Sequence, residues 1–189
     1  MIVIPSWRPR RLSVQGLGPR LQQVRRHILA RNDRVEIPQS LDRLLLPGVE
    51  TRFRQLRTSD QQHLIAVAES LSRNDAGDDL VTAGLLHDIG KAAPGITIRL
   101  TDRVAKVLLE NLAPIAIAHI SRQRAPRYGN ALWVLARHAQ TGSELAAQAG
   151  YDQRVQWLIA NHERSEPVND PDLLLLIAVD EASDRYPAG

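Results

Sequence analysis

The chain has 189 residues, 43% of them hydrophobic and 24% charged, which suits one domain with a real core. It has no cysteine, which excludes disulfides, thiolate catalysis, Cys-ligated zinc and iron–sulfur clusters. The net charge of +3 hides a division: residues 1–57 hold twelve arginines against four acidic residues, a balance of +8, whereas residues 58–189 carry −5.

An arginine-rich segment of this kind is usually a solvated face; one that binds would take phosphates or an acidic partner. A nucleic acid is therefore the less favoured partner. The opening "MIVIPSW" is too short an apolar run for a signal-peptide core, and no run approaches the ~20 residues of a membrane span. The expectation is a cytoplasmic protein with no membrane partner; the oligomeric state is not legible.

Helical spacing dominates. "LGPRLQQVRRHILAR" places Leu17, Leu21, Val24 and Ile28 on one face, and "SLDRLLLPG" reads as a short helix ended near Pro47 and Gly48. In "RTSDQQHLIAVAESLSR", Ser59 with Gln62 predicts a capping box, Leu64, Val67 and Leu71 form an apolar stripe, and His63 lies at its edge. "NDAGDD" is a turn with Asp78 or Asp79 as the next cap. "LVTAGLLHDIG" is a helix that Gly90 ends, with Ala83 and Gly84 small enough for a close neighbour.

"TDRVAKVLLENL" is a further helix, capped by Thr101 or Asp102 and ended near Pro114. "SRQRAPRYGN" is a basic loop. "ALWVLARHAQTGSELAAQAG" reads as two helices meeting near His138, the second stopped by Gly150. "DQRVQWLIANHE" is helical, and "DPDLLLLIAVDEASD" is the last helix, with Pro171 in its first turn. The expected fold is all-α: a compact bundle of seven to nine helices, with a basic N-terminal helical extension over residues 1–57 packed on a domain of residues 58–189.

Polar groups sit at the edges of these apolar helices: His63, the adjacent His87 and Asp88, His138, His162 and Asp180. Buried there, such groups are costly unless paired or bound to a metal. Imidazoles and carboxylates suit divalent ions such as zinc, manganese, iron, cobalt or magnesium, which the donor types do not distinguish. Inward ligands from several helices are a common way to build a metal site in a bundle. Six donors exceed the needs of one tetrahedral ion, and fit one six-coordinate ion or two ions.

The ordered set, with its flanks "DQQHLIAVA", "LLHDIGK", "HAQTGSELA", "NHE" and "AVDEASD", resembles the HD-domain superfamily of metal-dependent phosphohydrolases, and its HDIG branch most closely. The likeness covers about residues 58–184. It implies hydrolysis of a phosphomonoester or phosphodiester, in a nucleotide by preference, by a metal-activated hydroxide, with one or two divalent ions as cofactor. His63, His87, Asp88 and Asp180 would hold the first ion, and Asp88 would bridge to a second held by His138 and His162. Lys91 would contact a phosphate oxygen and stabilise developing charge. Arg122, Arg124 and Arg127 of the basic loop are further candidates for substrate phosphate. Ala139 and Asn161 depart from the pattern; Asn161 stands where some members have a further histidine ligand. The competing reading is an HD module with little or no activity that binds a partner or nucleic acid through the basic N-terminal region. "RYGN" and "RYPAG" are not the Gly-Tyr-Pro motif of the cyclic-dinucleotide branch.

Overall fold

The computed structural model describes residues 35–92, 96, 98–112, 120, 131–164 and 168–185. Among them are eight α-helices and no strand: α1 (Gln39–Asp42), α2 (Pro47–Gln55), α3 (Thr58–Arg73), α4 (Asp78–Leu86), α5 (Leu100–Leu112), α6 (Ala131–Ala149), α7 (Gln153–Asn161) and α8 (Pro171–Arg185). A 3-10 turn, Ile89–Lys91, follows α4. The expected helix at residues 17–28 and the loop carrying Arg122, Arg124 and Arg127 lie outside the described residues.

Several local expectations need correction. Pro47 starts a helix rather than ending one: it is the first residue of α2, where a missing N–H costs nothing. The capping box at Ser59 does not form; α3 begins at Thr58 after Arg57, with no side-chain cap. Gly77 caps α4, so Asp78 and Asp79 fall in its first turn, where their charges still favour the helix dipole. The α4 helix ends at Leu86, before Gly90. One helix, α6, runs unbroken through His138, because no Gly or Pro interrupts that stretch before Gly142, whose close packing tolerates it in a helix. Gly150 does stop α6, at a φ of 90° that suits glycine. Pro171 opens α8, and the Asp170 carboxylate accepts from Leu173 N–H at 2.9 Å as its cap.

The bundle is organised round α4, whose residues from Leu80 to Leu86 are all buried. It packs on α3, α7 and α8. Gly84 is where α3 comes closest: an added Cβ there would lie 2.4 Å from Leu71 Cδ1 and 3.7 Å from Ala68 Cα. Phe53, Leu64, Leu71, Leu86, Leu158 and Leu176 are fully buried in one cluster, each removal from water contributing ~1.5–3 kcal/mol. Leu41, Leu45, Val49 and Leu56, which precede α3, belong to that same cluster. Tyr151 ties this part to the rest: its hydroxyl donates to Leu44 O and accepts from Leu46 N–H, each at 2.8 Å. Tyr151→Phe leaves both groups without that partner. It is expected to lower the melting temperature by about 2–4 °C, for a loss of ~1 kcal/mol; calorimetry showing no shift would refute the tie.

Candidate metal centre

Three of the candidate histidines are oriented by helix geometry alone. His87 follows α4, His162 follows α7, and His138 lies inside α6. Each donates Nδ1–H to the carbonyl three residues earlier: His87 to Gly84 O at 2.9 Å, His138 to Leu135 O at 2.8 Å and His162 to Ile159 O at 2.7 Å. A carbonyl accepts only, so Nδ1 carries a proton in all three and Nε2 is the ring nitrogen turned inward, a lone pair whenever the ring is neutral. At the helix ends the same bonds satisfy carbonyls that have no intrahelical partner.

These inward nitrogens meet carboxylates. His138 Nε2 lies 3.0 Å and His162 Nε2 3.8 Å from Asp88 Oδ1, while His87 Nε2 lies 3.9 Å from Asp88 Oδ2 and 3.4 Å from Asp180 Oδ1. His63 Nε2 is 2.9 Å from Asp180 Oδ1. The four imidazoles stand in a row, with ring centroids 5.5 Å apart from His63 to His87, 4.9 Å from His87 to His162 and 5.2 Å from His162 to His138. His63 and Asp180 are partly exposed, whereas His87, Asp88, His138 and His162 are buried. All six candidate ligands therefore come together.

Helix register and one close crossing bring this about. Leu173, Leu176 and Asp180 share a face of α8 that packs on α3, and Leu64 and Val67 hold His63 toward it. Asp88 is set by the 3-10 turn pressed on α6: a Cβ on Gly90 would lie 2.0 Å from His138 O, and Gly142 faces it with Cβ space 3.4 Å from Gly90 N. The "HDIG" glycine serves that close approach rather than a helix end.

The electrostatics follow. Burial alone would raise the Asp88 carboxyl, but Lys91, His87 and His138 hold it well below its ordinary value. Burial would likewise raise Asp180, and His87 and His63 hold it well down. Burial opposes charge on His87, yet Asp180 and Asp88 outweigh it and raise its pKa to about 9. Burial, with His87 and His138, pushes His162 down to about 4. Lys91 Nζ pairs with Asp88 Oδ2, at the rim of the cluster. Asn161 is not a donor to it: its amide donates to Trp157 O at 2.8 Å and its oxygen accepts from Arg164 at 3.2 Å. Glu163 approaches His138 from behind, 3.7 Å from Nδ1, and is paired with Lys106 at 2.6 Å. That Lys106 contact spans α5 and the end of α7, and no local sequence pattern signals it.

In sets of three, His63 with His87 and Asp180, and His87 with Asp88 and His162, have ligand atoms within 4.8 Å of one another. The HD domain family matches residues 61–186. The chain belongs to the HD-domain family. The fold and this histidine–aspartate cluster are those expected of its metal-dependent phosphohydrolases, and HD domains bind divalent metals. No curated protein and no solved structure matches the chain. Among the described residues of this HD domain no helix is long and apolar enough to cross a membrane.

The raised His87 would make uptake of a cation at this site proton-linked. Below pH 9 the metal-free domain holds His87 protonated, and an ion needs its lone pair, so affinity is expected to rise with pH up to about 9. About one proton from this site should be released per ion at pH 7, counted by titration calorimetry in two buffers of different ionisation enthalpy. Uptake with no proton released would show that His87 is neutral beforehand.

Proposed function

We propose that the chain is a metal-dependent phosphohydrolase that cleaves a phosphomonoester or phosphodiester, in a nucleotide by preference. One observation carries this reading. Three imidazoles donate from Nδ1 to backbone carbonyls while their Nε2 atoms converge on carboxylate oxygens. With each Nδ1–H already used, an Nε2 faces a carboxylate oxygen favourably only with positive charge there, from an added proton, as on His87, or from a divalent ion. The donor set fits a divalent ion: nitrogen and carboxylate oxygen only, with the Nδ1–H bonds to backbone carbonyls fixing the rings of His87, His138 and His162.

His63, His87, Asp88 and Asp180 would hold a first ion, and Asp88, His138 and His162 a second, with Asp88 shared because its two oxygens face both groups. When bound, such ions acidify water and polarise a phosphoryl oxygen. The chain's own residues supply the rest. Asp88 places negative charge centrally, and its partner Lys91 stands where phosphate oxygens arrive and would stabilise the charge they gain. Arg122, Arg124 and Arg127 are proposed to meet substrate phosphate from their loop. Manganese, iron, cobalt, magnesium and zinc all suit this donor set. A cytoplasmic setting, and residues 1–57 as an extension of a domain from residue 58, belong to the same proposal.

The test is metal content by elemental analysis, with turnover of phenyl phosphate and a nucleotide panel after loading with each ion. Release of phosphate or cleavage of a diester that disappears with chelator is the expected result. A metal-loaded protein inert on every ester would remove the hydrolase reading.

A further inference from the structure

Beside the metal centre lies a cavity of about 160 Å³, walled by Leu56, Ile96 and Ile98 and carrying Arg57, Asp60 and Lys91. Its volume is well above the ~30 Å³ that one water takes in the liquid. Lys91 is the shared wall: it lines the cavity and pairs with Asp88. Two of the three charged groups are therefore compensated, Lys91 by Asp88 and Asp60 by Arg103, whose Nη2 lies 2.7 and 3.0 Å from the two Asp60 oxygens. Arg57 is exposed, and its side chain has no hydrogen bond or ion pair among the described residues. Its backbone is fixed all the same, since Arg57 O accepts from Asp60 N–H and Gln61 N–H, each at 2.9 Å. A second cavity, about 480 Å³, shares Gln55, Leu56 and Arg57 with the first and adds Arg54.

We infer that this cavity is a subsite for a second anionic group, a phosphate or a carboxylate, on the substrate. The inference rests on the hydrolase reading: the reacting phosphate lies at Lys91 and Asp88, the body of the ester lies along Leu56, Ile96 and Ile98, and Arg57 grips the far anion. A guanidinium suits that role because its planar fork matches phosphate or carboxylate with two parallel bonds. The cavity then selects doubly anionic esters over those with a neutral leaving group.

The experiment compares wild type, Arg57→Ala and Arg57→Lys on phenyl phosphate, ADP, adenosine 3′,5′-bisphosphate and 3-phosphoglycerate. Arg57→Ala is expected to lower kcat/KM for a doubly anionic ester about tenfold relative to phenyl phosphate, mainly through KM, with Arg57→Lys between the two. Whether the phosphate-bearing esters or 3-phosphoglycerate lose most identifies the anion. A ratio unchanged for all three doubly anionic esters overturns the subsite. Calorimetric binding of ADP and 3-phosphoglycerate to the metal-free protein separates the two readings. Weaker binding by Arg57→Ala in a protein that hydrolyses nothing keeps the subsite and removes the hydrolase. Equal binding, with no turnover, removes both.

Discussion

Asp88→Ala is expected to leave the protein unable to hold metal at stoichiometry and without ester hydrolysis. Asp88 faces three of the four imidazoles and Lys91 at once, so its loss touches both halves of the centre. Loss of a single outer partner already costs about 10–100-fold in metal affinity, and a shared ligand exceeds that range. The metal-free protein also suffers: removing one member of a buried charge pair costs about 3–5 kcal/mol, here because Lys91 and the raised His87 lose their counter-charge. Elemental analysis after dialysis, melting temperature and turnover measure the three effects. Full metal occupancy in Asp88→Ala would place the ion elsewhere.

The second large effect lies on no ligand. In Gly90→Ala the new methyl would sit 2.0 Å from His138 O and 2.8 Å from Gly142 N. Both are backbone atoms, so no rotamer relieves the clash; the 3-10 turn and α6 must part. The expected cost is about 3 kcal/mol, the upper part of the range for overpacking, or a fall of ~6–12 °C in melting temperature. Separating the turn from α6 also pulls Asp88 from His138, now 3.0 Å apart, and an error of ~1 Å at such a site can cost ~100-fold in rate. Gly142→Ala is the control. Its methyl would meet Ile159 Cγ2 at 3.1 Å and Ile89 Cγ2 at 3.3 Å, which are side-chain atoms, and alanine favours the helix by up to ~1 kcal/mol. It should cost far less than Gly90→Ala; the reverse order would show that Gly90 does not set the crossing.

Asp180 and His63 show how far the chain could be read before folding. Each stands out as a polar residue on an apolar stripe, because helical periodicity records which face is buried. Their 2.9 Å approach joins residues 117 positions apart, and no local pattern measures such a distance. The Nδ1 bonds to Gly84, Leu135 and Ile159 are local, three residues back, yet the exposed or buried fate of each Nε2 depends on what packs opposite.

The amino-acid sequence by itself determined the helical class, the stop at Gly150, the start at Pro171 and the six candidate ligands with their flanks. These are consequences of spacing, backbone freedom and side-chain chemistry, all of which act over a few residues. Tertiary structure alone decided that Gly142 is packed against Ile89 and Ile159 inside α6, that the "HDIG" glycine admits a neighbouring backbone, and that Arg57 shares a cavity wall with Lys91. Those depend on which surfaces meet, and close packing fixes that only when the helices are together.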